Sequence, residues 1–302
     1  MEMIEKIKKL KKERNAVILV HNYQLPEIQE LADFTGDSLG LSIEASKTKA
    51  EVIVFCGVYF MAETAKILSP QKTVLIPDRD AGCPMADMIT AKQLCSLKEK
   101  HPQAKVLCYV NTPADVKAES DLCCTSANAV KMVKEALAGE KEVIFVPDKY
   151  LADYVSTQTN RNFITWDGYC PSHVKILPQD IRKQKELYPH ALTLAHPECT
   201  RDVIKLADKV LSTEGMCRYV KETNSQEFII GTEPGIIYRL KKENPYKIFY
   251  PASELAVCPN MKLTTQEKVL WCLEDLKYEI KIPEQTILRA KKSIQKMLRL
   301  HN

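Results

Sequence analysis

Three Cys-Pro dipeptides stand at nearly equal intervals in this 302-residue chain. They occur in the strings AGCPM, YCPS and VCPN, and their cysteines, which we call the cysteine triad, are Cys83, Cys170 and Cys258. The separations are 87 and 88 residues, and none of the other eight cysteines precedes a proline. Thiolates bind soft and borderline metals, so a fold that brings the triad together would form a metal centre.

Polar residues of other types repeat at the same spacing, each just after a short apolar segment. Members of each set lie 88 and 87 residues apart, and the sets are His21, Tyr109 and His196; Tyr23, Asn111 and Glu198; and Ser38, Ser126 and Thr213. Ligands of open parallel sheets bind beyond the carboxyl ends of the strands, which makes these positions site candidates. Two alternatives remain open, namely that the histidines are structural and that Ser38 and Ser126 are helix N-caps.

The elements that position these residues form an internal repeat of about 88 residues. Each copy has four strand-like segments separated by helical stretches; the first strands are AVILV, KVLCYV and LTLA, and the last are TVLIP, NFITW and KIFYP. Strands that alternate with helices predict parallel sheets with right-handed crossovers. We therefore predict an α/β fold of three homologous three-layer α/β/α sandwich domains around a pseudo-threefold axis.

The repeat also sets the predicted domain boundaries. The three copies span residues 1–87, 88–175 and 176–262. Residues 263–302 read as two further amphipathic helices, which must bury their apolar stripes and are predicted to pack back on the first repeat.

Composition bounds the class of protein. Hydrophobic residues make up 45% and charged residues 27%, as in ordinary globular proteins. The net charge of +4 is spread along the chain, so no nucleic-acid partner is expected. The first residues lack the pattern of a signal peptide, and no apolar run is long enough to span a membrane. We expect a cytoplasmic protein without a membrane partner, with reduced thiols and buried structural cysteines outside the triad.

If the repeats pack around one axis, the cysteine triad meets at a point. Three thiolates suit a [4Fe–4S] cluster whose fourth iron stays open and acts as a Lewis acid. Two alternatives remain: the Cys-Pro turns repeat with their thiols apart, or one thiol forms a zinc site with His173, three residues after Cys170.

Strings along the chain resemble those of the quinolinate synthase family (quinolinate synthetase A) of de novo NAD biosynthesis. They run in order from about residue 20 to residue 262 and include HNYQ, GVYFMAE, PDRDAGCPMAD, DLCCTSANAV, GYCPSH, AHPEC, STEGM and CPNMK. The resemblance implies three α/β/α domains around a pseudo-threefold axis, with a [4Fe–4S] cluster held by one cysteine from each domain.

The resemblance also implies a reaction, in which iminoaspartate and dihydroxyacetone phosphate condense to quinolinate with release of phosphate and two waters. It implies that Glu198 is a general base near neutral pH and that Tyr23 shuttles a proton. The substrate-binding residues that it implies are His21, Ser38, Tyr109, Asn111, Ser126, His173, His196, Glu198 and Thr213, with His21 and His196 also in the catalytic set. Lys262 follows Cys258 closely enough to lie near the site.

Three other functions remain possible from the sequence. The first is another hydro-lyase with an open iron. The second is a non-catalytic iron–sulfur sensor, and the third is a cofactor-free binding protein with structural cysteines. If the chain makes quinolinate, its labile substrate iminoaspartate implies transient handover from an oxidase or dehydrogenase that produces it.

Overall fold

The structure is a computed structural model that describes residues 2–300, so the last two residues of the predicted final segment lie outside the described residues. The first repeat contains α1 (Glu2–Glu13), β1 (Ala16–His21), α2 (Pro26–Gln29), β2 (Phe34–Gly36), α3 (Ser38–Lys47), β3 (Val52–Cys56), α4 (Tyr59–Leu68), β4 (Thr73–Leu75) and a 3-10 helix (Ala86–Met88). Strand β3 is buried along its whole length, as expected for a sheet covered on both faces.

The second and third repeats follow the same order of elements. The second contains α5 (Ala91–Lys100), β5 (Lys105–Tyr109), α6 (Ala114–Ala118), β6 (Leu122–Cys124), α7 (Ala129–Glu135), β7 (Val143–Val146), α8 (Lys149–Thr159), β8 (Ile164–Thr165) and a 3-10 helix (His173–Lys175). The third contains α9 (Pro178–Leu187), β9 (Leu192–Ala195), α10 (Arg201–Ile204), β10 (Lys209–Val210), α11 (Thr213–Glu222), β11 (Glu227–Gly231), α12 (Ile236–Glu243), β12 (Ile248–Pro251) and a 3-10 helix (Asn260–Lys262).

Each repeat forms its own four-stranded parallel sheet with one strand order. The orders are β2-β1-β3-β4, β6-β5-β7-β8 and β10-β9-β11-β12, and every strand pair is parallel. Helices flank each sheet, so the predicted fold class of three α/β/α units is confirmed. Each sheet lies within one of the three predicted segments.

An aspartate that recurs in every repeat accepts a hydrogen bond from the backbone of the first strand of each sheet. Asp33, Asp121 and Asp208 each accept a hydrogen bond from a backbone N–H of that strand, at 2.8, 2.9 and 2.7 Å. These aspartates stand at the 88- and 87-residue spacing of the site residues. In each repeat, a backbone N–H of the first strand thus finds its hydrogen-bond acceptor in an aspartate side chain. This need for an acceptor explains why an aspartate recurs beside an apolar strand.

The two final helices attach to different repeats. Helix α13 (Gln266–Asp275) packs on α1, and its buried Leu273 joins the apolar cluster formed by α1, β1 and β3. The backbone beyond α13 pairs with edge strand β4, where Ile280 N donates to Val74 O at 2.8 Å.

Helix α14 (Glu284–Arg299) crosses to the second repeat and packs mainly on α6 and β6. Ser293 Oγ donates to the carbonyl of Lys117 at 2.9 Å. Helix α13 therefore packs on the first repeat as predicted, whereas α14 packs mainly on the second and makes a smaller contact with α4 of the first. No helix within residues 2–300 combines the length and apolar character needed to cross a membrane.

Candidate active site

All of the predicted site residues line one cavity of about 650 Å³, including its mouth. They reach it from the carboxyl ends of strands in all three sheets, as expected for parallel sheets. The predicted residues at the cavity are His21, Tyr23, Ser38, Cys83, Tyr109, Asn111, Ser126, Cys170, His173, His196, Glu198, Thr213 and Cys258. The three Cys-Pro turns therefore all present their cysteines to this cavity, and the meeting of the three thiols at one point stays a prediction.

The cysteine triad has one local environment in all three repeats. Each cysteine lies in the loop after a fourth strand, just before a short 3-10 helix. Burial raises the pKa of all three thiols, to about 12 for Cys83. Backbone N–H groups from the start of the 3-10 helix oppose that rise, such as those of Met85 and Ala86 at Cys83. The loops thus place amide donors toward each sulfur, which favours a thiolate once a metal displaces the proton.

The spacing of the triad suits a group larger than a single ion. Three sulfurs on one zinc ion, at about 2.3 Å each, would lie within about 4.6 Å of one another. Within residues 2–300, the triad forms no set of ligand atoms that all lie within 4.8 Å. The charges of Cys83 and Cys258 nevertheless affect each other, as do those of Cys83 and Cys170. Three separated thiols around one cavity fit a multi-iron cluster with one cysteine per iron.

The structure also bears on the zinc alternative with His173. Cys170, His173 and Glu198 place ligand atoms within 4.8 Å of one another. However, His173 Nδ1 lies 3.1 Å from Cys170 Sγ and 2.8 Å from Glu198 Oε2, so one ring nitrogen accounts for both contacts through hydrogen bonding. A single ion at this point would leave two members of the triad without a role.

Glu198 is the electrostatic centre of the cavity. Burial of its side chain favours the neutral acid and is the largest single effect, but His173, His196 and the hydrogen bond from Tyr109 together outweigh it and hold the pKa of the Glu198 carboxyl well below its usual range. Tyr109 OH donates to Glu198 Oε1 at 2.5 Å. The expectation that Glu198 titrates near neutral pH therefore does not hold, and this residue stays a carboxylate.

A chain of hydrogen bonds links Glu198 to Tyr23. Tyr23 OH lies 2.6 Å from Thr232 Oγ1, and Thr232 Oγ1 lies 2.8 Å from His173 Nε2. With His173 Nδ1–H donating to the Glu198 carboxylate, Nε2 accepts from Thr232, whose oxygen accepts from Tyr23. Burial raises the pKa of Tyr23, so its phenol holds a proton that this chain can carry toward His173.

His21 and His196 occupy matching positions and share one hydrogen-bonding state. Burial lowers the pKa of both imidazoles to about 3, so both are neutral. His21 Nδ1 accepts from the backbone N–H of Tyr23 at 3.2 Å, and His196 Nδ1 accepts from that of Glu198 at 3.3 Å. In each ring the proton therefore lies on Nε2, which can donate to an oxygen in the cavity.

The three hydroxyl residues do not act as helix caps. Asp37 caps α3 in place of Ser38, Asn128 occupies the N-cap position of α7, and Ser212 caps α11. The N-cap alternative for Ser38 and Ser126 is therefore wrong. Ser126 Oγ lies 3.1 Å from His196 Nε2.

The family of this chain is decided by comparison with known proteins. A family model described as "Quinolinate synthetase A protein" matches residues 5–299. The chain belongs to the quinolinate synthetase A family. Similar relatives include quinolinate synthases from Dehalococcoides mccartyi (strain CBDB1), 55% identical over 295 residues, and from Methanosarcina barkeri, 54% identical over 297 residues. Each match covers 98% of this chain and 97% of the relative. The family resemblance is thus confirmed.

In this quinolinate synthetase A family member, sequence reasoning missed two buried residues at the site, Thr232 and Glu233. Both follow β11, and neither has an equivalent of the same type in the other repeats. Register between repeats identified the other site residues except His173, which was found from its position three residues after Cys170, so positions that differ between repeats gave little signal.

Proposed function

We propose that this chain is a quinolinate synthase, a transferase of dehydratase type. It would condense iminoaspartate with dihydroxyacetone phosphate to quinolinate, with release of phosphate and two waters. Membership of the quinolinate synthetase A family supports this proposal. The observation that carries it is the convergence of three thiols, two neutral imidazoles, a carboxylate and several hydroxyls on one cavity.

The proposed cofactor is a [4Fe–4S] cluster held by Cys83, Cys170 and Cys258. The separation of their sulfurs, their shared cavity and the amide groups at each loop support this assignment. When bound, the cluster supplies an iron without a protein ligand, which acts as a Lewis acid on a substrate oxygen.

Neutral imidazoles and hydroxyls are proposed to hold the anionic groups of both substrates. His21 and His196 each offer an Nε2–H donor. Thr213 Oγ1 accepts from Asn22 Nδ2 at 3.0 Å, which leaves its own proton free to donate, and Ser38 offers a further hydroxyl. Donors that carry no charge bind carboxylates and phosphate without holding the product as tightly as buried cations would.

Asn111 and Tyr109 are proposed to position the condensing fragment. Within the described residues, Asn111 Oδ1 is a buried acceptor that has no hydrogen-bond partner, and Asn111 lines the cavity. An orphaned acceptor at this point fits the N–H of an imine or enamine. Tyr109 is fixed by its hydrogen bond to Glu198 and lines the same space.

Proton transfer is assigned to the chain of Tyr23, Thr232 and His173, with Glu198 as the anion behind it. As Tyr23 accepts a proton from the substrate, its own proton passes to Thr232, Thr232 passes its own to His173 Nε2, and the Glu198 carboxylate stabilises the resulting imidazolium. In the reverse direction the proton on His173 returns through Thr232 to Tyr23 while Tyr23 donates its proton to a leaving hydroxyl. The Glu198 carboxylate thus acts by stabilising protonated His173, and it is not itself a base of raised pKa.

The substrate suggests a supplier and a compartment. Iminoaspartate hydrolyses readily in water, so we propose that an oxidase or dehydrogenase acting on aspartate delivers it by transient contact. A cluster with an exposed iron requires a reducing setting, which supports the cytoplasm as the site of action.

The deciding experiment follows quinolinate formation by anaerobically purified protein of known iron content, with dihydroxyacetone phosphate and freshly generated iminoaspartate. Iron-loaded protein should form quinolinate, and this activity should be lost after the protein is exposed to air. Iron-loaded protein that makes no quinolinate would contradict the proposal and favour another hydro-lyase or a sensor. Protein without iron or sulfide would favour the cofactor-free binding protein.

A further inference from the structure

A buried ion pair beside the cavity has no part in the reaction proposed above. Glu233 has no exposed surface, and its Oε1 lies 2.8 Å from Lys262 Nζ, whose side chain is 21% exposed. Removing one partner of such a pair leaves a buried charge uncompensated, so a pair at this depth has a measurable effect on what surrounds it.

The two charges hold the backbone of two different repeats. Glu233 Oε1 also accepts from the backbone N–H of Cys258 at 3.3 Å, so it holds one member of the cysteine triad. Lys262 Nζ donates to the carbonyl oxygen of Tyr23 in the first repeat. The loop that presents a cysteine and the loop that presents the proton-carrying tyrosine are therefore joined through one ion pair.

Gly235 gives independent evidence that the atoms around the Glu233–Lys262 ion pair are tightly packed. A Cβ atom on Gly235 would lie 2.7 Å from Tyr23 O, 2.7 Å from Glu233 Oε2 and 2.8 Å from Lys262 Nζ. Real Cβ atoms do not approach backbone oxygens that closely. The backbone N–H of Gly235 donates to Glu233 Oε2 at 2.7 Å, so the residue without a side chain lets all of these groups converge.

Comparison of the repeats shows that the ion pair is specific to the third. Val58, Asp148 and Glu233 each lie two residues beyond the third strand of their sheet. Asp148 caps α8, accepting from Tyr150 N at 2.8 Å, much as Glu233 accepts from Gly235 N. Within residues 2–300, Asp148 forms no ion pair, although the backbone N–H of Cys170 acts on its carboxyl as that of Cys258 does on Glu233. Pairing with a lysine therefore distinguishes Glu233 from Asp148.

We propose that Glu233 and Lys262 are positioning residues, a latch that fixes the Cys258 loop against the Tyr23 loop. Neither is expected to contact the reacting atoms. The latch would keep Cys258 in place for the cluster and Tyr23 in reach of Thr232. Its consequence for turnover rests on the proposed function, whereas its effect on Cys258 does not.

The test measures Cys258 directly. The variants Glu233→Gln and Lys262→Met are compared with wild type for the alkylation rate of each triad thiol in cluster-free full-length protein, by iodoacetamide labelling and peptide mass spectrometry. Alkylation of Cys258 should accelerate roughly tenfold or more, because losing a hydrogen bond to a charged group shifts a local opening equilibrium by about that factor. Cys83 and Cys170 should label at wild-type rates. Iron-loaded variants should also lose iron faster to a ferrous chelator under anaerobic conditions.

A surface pair that joins the same two repeats provides the control. Lys242 Nζ lies 2.5 Å from Glu30 Oε1, and both side chains are about half exposed. Glu30→Gln should leave the labelling of all three thiols unchanged, because an exposed pair contributes little.

Glu233→Asp keeps the carboxylate and shortens the side chain by one methylene. Asp148 demonstrates that aspartate can serve the helix-start contact at this register, and the backbone N–H of Cys170 also acts on its carboxyl. This variant should therefore fold normally and label at Cys258 no faster than Glu233→Gln. Unchanged Cys258 labelling in Glu233→Gln and Lys262→Met would overturn the latch, as would equal acceleration of all three thiols. Since labelling and iron loss do not depend on any substrate, these results stand apart from whether the protein makes quinolinate.

Discussion

Replacing Thr232 by valine tests the hydrogen-bond chain through the site. Thr232 is completely buried, and its hydroxyl joins Tyr23 OH at 2.6 Å to His173 Nε2 at 2.8 Å. Valine keeps the volume and shape but removes the oxygen, after which Tyr23 OH is left 3.5 Å from His173 Nε2. That separation is too long for efficient proton transfer.

The expected loss of stability in the Thr232→Val variant follows from the two hydrogen bonds that are removed. Leaving buried polar groups without a partner costs about 1–3 kcal/mol, so we expect the free energy of unfolding to fall by roughly 2 kcal/mol and Tm by about 5 °C. Proton transfer by a positioned group contributes about 100-fold or more to rate, so kcat should fall about 100-fold. Thr232 does not line the cavity, so KM should change less than about twofold.

The assay is steady-state quinolinate formation by iron-loaded protein, with thermal unfolding measured on the same samples. Thr193→Val is the matched control, because Thr193 is equally buried but its hydroxyl has no hydrogen-bond partner in the described chain. That control should keep wild-type kcat and be as stable as wild type or more so. A Thr232→Val enzyme with kcat within about threefold of wild type would refute the proton chain.

Three further predictions concern the metal, the carboxylate and pH. Alanine at any member of the cysteine triad should abolish turnover and lower bound iron, whereas Cys95→Ala on helix α5 should affect neither; equal damage from all four variants would contradict the ligand assignment. Glu198→Gln should keep its iron by colorimetric assay but lower kcat about 100-fold or more, and normal turnover would remove Glu198 from the mechanism. Burial lowers the pKa of His21 and His196 to about 3, below the value of about 6.5 in unfolded chains. The unfolded state therefore binds more protons between about pH 6.5 and pH 3, so the free energy of unfolding of cluster-free protein should fall by roughly 2 kcal/mol per histidine from pH 7 to pH 5. Urea titrations at pH 7 and pH 5 should show that the free energy of unfolding of His196→Gln falls by about half as much as that of wild type. Equal falls in the two proteins would mean that His196 is not buried and neutral.

Much of the site could be predicted because the three repeats align with one another. Cys83, Cys170 and Cys258 stand at equivalent loops, and parallel sheets require strand ends to meet on one side. The repeated order of elements also explains why the three sheets share one strand order. Short apolar strands and the helices between them are encoded locally, by hydrophobic runs and by caps such as Asp37.

Other features arise only from contacts between repeats. Helix α14 has an amphipathic pattern that would suit any apolar surface, and its place on α6 depends on which sheet face is uncovered. The low pKa of Glu198 depends on His173, which comes from another repeat. Burial alone would predict the opposite shift, so the sequence could not give its sign.

The sequence by itself determined the three-domain α/β architecture, the cysteine triad and the polar residues at strand ends, because all of these follow from local pattern and internal repetition. Tertiary structure decided how those residues connect. Thr232 bridges Tyr23 to His173, and Glu233 with Lys262 joins Cys258 to Tyr23. Thr232 and Glu233 occur at positions where the repeats differ, whereas Lys262 has an equivalent in Lys175, 87 residues earlier. The roles of these residues depend on distances across domain boundaries that no pattern within the chain records.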